Sequence, residues 1–123
     1  MSRARADNAL THPRRLPRWH RLRLLAMARS IHESLPRSAD PTPEQLRNLD
    51  RRIDEFAAAV KALEATGDTA SSSFVTEANA LVGKLRSLRR DYGQRTLAFT
   101  PDSSLLSLNI SISMMDRDAR GGR

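Results

Sequence analysis

Eight arginines crowd the first 29 residues of this 123-residue chain: Arg3, Arg5, Arg14, Arg15, Arg18, Arg21, Arg23 and Arg29. A planar guanidinium offers a fork of N–H donors that fits two oxygens of one phosphate, so arginine at this density points to a polyanion. One acid, Asp7, accompanies them, and the segment therefore carries the whole formal net charge of +7. Residues 30–123 hold thirteen basic and thirteen acidic side chains and balance to zero. A basic arm on a neutral body is the electrostatic footprint of contact with phosphate backbones. Double-stranded DNA is the expected partner and these eight arginines the expected DNA-binding residues. The plainer reading is a solvated arm, or the codon bias of a GC-rich genome.

Other chemistry is hard to place. His12, His20 and His32 lack metal-ligand spacing. The acid pairs Asp54/Glu55 and Asp116/Asp118 are of the kind found on solvated surfaces, and no serine has a plausible base and orienter. Neither glycine-rich phosphate motif occurs. No catalytic residue, cofactor or metal is expected, and the chain does not read as an enzyme. With no cysteine there is no disulfide framework. The apolar stretches around Leu24–Ala28 and Phe56–Val60 are far too short to span a bilayer, and neither a membrane partner nor a secretory signal is expected. These features fit a cytoplasmic protein.

The elements that must position the arginines read as follows. Residues 1–16 form a flexible basic arm. Residues 17–93 form a helical domain, with helices at about 17–35, 43–66 and 72–92. Residues 94–123 form a tail. In the first helix Leu24, Ala28, Ile31 and Leu35 make an apolar line broadened by Trp19, Leu22 and Leu25; Trp19 reads as a packing anchor more than a base-stacking group. Thr42-Pro43-Glu44-Gln45 is a capping box with proline at the first helical position. Leu46, Leu49, Ile53, Phe56, Val60 and Leu63 then repeat at spacings of three and four, and so do Phe74, Ala78, Leu81, Leu85, Leu88 and Tyr92. Gly67 is the stop between them. Two heptad helices joined by a short turn predict a long antiparallel hairpin, marginal in isolation. Val75 and Val82 lie beside the second seam and are expected at a contact with the first helix or another subunit. Gly83 would fit a close helix approach, or chance. Lys84, Arg86, Arg89 and Arg90 read either as complements to the helix C-terminal dipole or as a second basic patch.

In the tail, Leu106, Leu108, Ile110, Ile112 and Met114 alternate with Ser107, Asn109, Ser111 and Ser113. A period of two predicts a short β-strand at about 105–114. A lone strand needs a partner, so the expected oligomer interface comprises Val75, Val82 and these five apolar residues. The expected class is all-α: a first helix and a hairpin, with a C-terminal strand paired between subunits.

The order of these motifs is similar to that of another protein group. A basic leader, a Trp-bearing helix and Thr42-Pro43-Glu44-Gln45-Leu46 come first. A hairpin ending Leu85-Arg86-Ser87-Leu88-Arg89-Arg90-Asp91-Tyr92-Gly93 and the segment Thr100-Pro101-Asp102-Ser103-Ser104 follow. Over residues 17–104 this resembles the small subunit of a tailed-phage or gene-transfer-agent terminase. The resemblance implies a ring-forming homo-oligomer in a bacterial host's cytoplasm that binds viral DNA and hands it to the large terminase subunit, which brings the ATPase and nuclease. The Pro-rich Ser34–Pro43 link departs from that pattern, since it leaves no tight helix-turn-helix, and the arginine arm would substitute. The alternative is a helical scaffold or protein-interaction module with no DNA role.

Overall fold

The computed structural model describes residues 15–37, 40–94 and 101–121, with side chains over 18–37, 40–92, 101 and 104–120. It contains helices α1 (Arg15–Ser34), α2 (Pro43–Ala65), α3 (Ser72–Gln94) and α4 (Pro101–Gly121), with a 3-10 turn, Thr69–Ser71, ahead of α3. Among the described residues there is no strand, and the all-α class holds.

Local chemistry explains the boundaries of α2. The Thr42 hydroxyl accepts from the Gln45 backbone N–H at 3.1 Å, while the Gln45 side chain accepts from the Thr42 N–H at 2.8 Å. Pro43 fills the first helical position, where its missing N–H costs nothing. Gly67 ends the run with φ of 69°, a left-handed conformation that only glycine adopts freely.

Helix α1 packs on α2, α2 on α3, α3 on α4, and α4 back on α1. Cross-helix contacts fix the directions. Arg89 and Arg86 of α3 meet Asp50 and Asp54 of α2, so those two helices run antiparallel. Arg52 meets Ser30 and Ser34 while Arg21 meets Asp68, which sets α1 antiparallel to α2. His32 Nε2 lies 3.2 Å from the Leu105 carbonyl oxygen and Arg29 reaches Asp116, which reverses α4 against α1. The result is a closed up-down-up-down four-helix bundle.

Its core is built from heptad stripes. Leu49, Ile53, Phe56, Val60 and Leu63 of α2 and the whole stripe Phe74–Tyr92 of α3 are buried, with Leu24, Leu25, Ala28, Ile31 and Leu35 on their flank. The two hairpin seams are therefore buried inside one bundle. Val75 and Val82, expected at a contact with the first helix or another subunit, are partly buried against the same core. Gly83 is exposed, and a Cβ there would meet nothing within 4 Å, so no close helix approach explains it. The Tyr92 hydroxyl donates to the Pro36 carbonyl oxygen, tying the end of α3 to the segment after α1. Burial pushes its pKa up to about 12, against an opposing pull from the Arg37 charge.

The expected strand at 105–114 is instead the body of α4. Residues two apart share a face in a strand but point about 200° apart on a helix. Helix formation therefore splits the five alternating apolar residues into two sets. Leu108 and Ile112 turn inward and join Leu105, Met115 and Ala119 in a buried stripe spaced three and four. Leu106, Ile110 and Met114, each four apart, stay on the outer face and are 63%, 54% and 37% exposed. The period-two signal was two helical stripes superimposed, and burial against α1 and α3 outweighs the modest strand preference of isoleucine.

This split is testable by substitution. Ile112→Ala should lower unfolding free energy by about 2–5 kcal/mol, as for other buried large-to-small changes. Ile110→Ala should cost less than about 1 kcal/mol. A strand with one buried face would lose similar amounts at both positions; urea denaturation of each variant decides.

Candidate nucleic-acid interface

The arginine-rich segment meets the bundle at the start of α1. Arg3, Arg5 and Arg14 lie outside the described residues, and Arg15 begins α1 with its side chain outside them. Arg18 and Arg23 are exposed and project from α1. Trp19, expected in the core, is 65% exposed. It lies nine residues before the buried Ala28, about two and a half turns, and so falls on the opposite face. An exposed indole between Arg18 and Arg23 offers a stacking surface for a sugar or base.

Two members of the expected DNA-binding set are used inside the protein. Arg21 is only 3% exposed. Its Nη1 donates to the Ser71 Oγ at 2.7 Å and lies 3.4 Å from the Asp68 carboxylate, while the Ser71 hydroxyl donates to Asp68 at 2.6 Å. This network fastens the α2–α3 turn to α1, and Arg21 is not free to meet a phosphate. Its position was legible: Arg21 stands one heptad before Ala28, on the line of the core. Arg29 pairs with Asp116 at 2.8 Å and tethers α1 to α4. A hydrogen bond from Arg120 holds the Asp116 carboxyl below its ordinary range; partial desolvation opposes this, and Arg29 adds to the lowering.

The second basic cluster does not form a patch. Lys84 donates to the Ser111 Oγ at 2.6 Å, and Arg86 and Arg89 pair with Asp54 and Asp50. Arg90 alone of the four makes no such contact among the described residues. The histidines do not gather either: His12 is outside the described residues, His20 is half-buried and His32 meets the Leu105 carbonyl. Among the described residues no group of three potential ligands could hold a metal ion, and no helix is long and apolar enough to cross a membrane.

Sequence reasoning gave the arginines of α2 no functional role. With α1 laid along α2, Arg51 and Arg52 instead stand across a surface groove from Arg23. The signal that would have found them is the sorting of charge on α2: Asp50 and Asp54 turn toward α3, and the neighbouring arginines do not. Comparison of the chain with protein-family models, curated proteins and solved structures gives no match.

The structural role of Arg21 predicts a stability effect. Arg21→Ala should lower unfolding free energy by about 3 kcal/mol, because it removes one partner of a buried ion pair. Arg18→Ala should leave it within about 0.5 kcal/mol. Chemical denaturation monitored by circular dichroism measures both.

Proposed function

We propose that this chain is a non-enzymatic DNA-binding adaptor whose basic arm and exposed start of α1 grip phosphates while the bundle provides a rigid body for assembly. The observation that carries this reading is the placement of charge. The whole net charge of +7 lies in residues 1–29. In the bundle, Arg21, Arg29, Arg86 and Arg89 are committed to ion pairs with acids. Arg18 and Arg23 therefore remain to continue the arm's charge onto the folded surface. In its specific form, the adaptor is a small terminase subunit that recruits the large ATPase/nuclease subunit in the cytoplasm of a bacterial host. The order of motifs over residues 17–104 supports that form.

The test is binding of a labelled 20-base-pair duplex across a salt series. Affinity should fall steeply with salt, and deleting residues 1–15 should weaken binding by at least about tenfold, since four arginines are removed. Binding that is insensitive to salt, or unchanged by the deletion, would refute the reading.

A second reading, a protein-interaction scaffold with no DNA role, is favoured by α4. Residues 103–115 contain no charged side chain in a chain that is 28% charged. Depletion of charge around exposed apolar residues marks the centre of an interface. Assembly through Leu106, Ile110 and Met114 predicts a native mass above that of one chain. Ile110→Arg should return it to the monomer value in analytical ultracentrifugation.

A further inference from the structure

We infer that the groove between α1 and α2 is a seat for a nucleic-acid phosphate backbone, formed by Arg23 on one wall and Arg51 and Arg52 on the other and extended by Arg47. This rests on the DNA-binding reading and adds to it a site on the folded bundle, distinct from the arm.

The groove is open to solvent and holds about 470 Å³, with Ala26, Met27 and Ile31 along its floor. A neighbouring hollow on α2 shares Arg51 with the groove and adds Arg47. Among the described residues, Arg23, Arg47, Arg51 and Arg52 form no ion pair. Arg52 is held across the groove by Ser30 and Ser34 at 3.2 and 3.4 Å, and Arg51 is steadied by Asn48 at 2.6 Å. Both guanidiniums are thus positioned by neutral groups, with no acid in ion-pair contact.

The absence of acid partners follows from how α2 sorts its charges. Asp50 and Asp54 face α3 and are neutralised there by Arg89 and Arg86. Glu44 and Glu55 remain beside the four arginines, which leaves a local excess of positive charge. Arg47 and Arg51, four residues apart, lie about 6 Å apart along the helix axis. That is roughly twice the axial spacing of about 3.4 Å between phosphates of one DNA strand. A single small anion would leave most of this row unused, whereas a backbone edge meets it along its length. The large apolar side chains of the groove do not project as a membrane anchor requires; Ile31 is buried and Met27 packs on the core.

The test uses the full chain with Arg23, Arg47 and Arg51 all changed to glutamine. Its control, Arg86→Gln, Arg90→Gln and Arg117→Gln, removes the same charge from α3 and α4, outside the groove. Thermal melts establish that each folds; the single variant R51Q, whose side chain bonds only to Asn48, serves should the triple not fold. The groove variant should weaken binding of a 20-base-pair duplex by roughly tenfold or more, and flatten the log–log salt slope by about 0.9 for each phosphate left without its arginine. The control should bind within about threefold of the parent. R51Q should flatten the slope by about 1. Equal weakening in both triples, or parental binding by the groove variant, would overturn the site while leaving the DNA-binding reading intact. A parent that fails to bind duplex at all overturns both. A groove variant that no longer binds phosphatidylserine vesicles, but still binds duplex, overturns the site in favour of a lipid surface.

Discussion

Everything in this molecule depends on α4 closing the bundle. Each of α1, α2 and α3 carries an apolar stripe, but three antiparallel helices in a row leave the outer flanks of α1 and α3 open to water. Leu105, Leu108, Ile112, Met115 and Ala119 cover those flanks and are themselves buried by doing so. The hydrophobic effect is non-directional, so burial alone would tolerate several registers. The polar contacts along the seams narrow the choice: His32 to the Leu105 carbonyl, Arg29 to Asp116, and Lys84 to Ser111. With α4 placed, α1 is pinned from one side and α2 from the other, and the groove between α1 and α2 acquires fixed walls.

The two ends of the bundle are latched by different chemistry. At one end the Arg21–Ser71–Asp68 network holds the α2–α3 turn against α1. At the other, Tyr92 reaches the backbone of Pro36. Both latches bury polar groups, which lowers the energy of the correct pairing less than it raises the energy of the wrong ones. A slip of one turn would leave a guanidinium or a carboxylate desolvated without its partner, and such an unpaired buried charge costs several kcal/mol. Heptad stripes are repetitive and permit such slips; the latches make the slipped states expensive.

The legible part of the fold was the part in which local and global signals agree. The capping box at Thr42, the heptads of α2 and α3 and the stop at Gly67 each specify the same two helices, and the structure contains them. The tail misled because its local pattern fits two periods. Leu106 through Met114 satisfies a strand; Leu105, Leu108, Ile112, Met115 and Ala119 satisfy a helix over a longer span. The longer pattern won because three amphipathic helices were waiting for a fourth, a tertiary demand that no local window displays. The arginines were legible as charge but not as partners. Whether a guanidinium meets Asp68 or solvent depends on which turn of a remote helix lies beside it, so Arg21 and Arg23, two residues apart, have opposite fates.

The placement of the two candidate surfaces makes their roles compatible. Helix α4 packs on α1 and α3, so α2 lies diagonally across the bundle from it. An interface on the outer face of α4 would leave the α1/α2 groove uncovered. The character of the α4 stripe also bears on the form of any assembly. Leu106, Ile110 and Met114 sit on one face of one helix, and a single self-complementary patch generates a two-fold pair, because a closed ring of more copies requires two different surfaces that fit each other. Antiparallel pairing of two such stripes sets the start of α4 in one copy against its end in the other. The α1 N-termini, which lie at the opposite end of the bundle, would then point away from each other. That arrangement leaves two basic grooves on the outside of the pair, available to one duplex or to two.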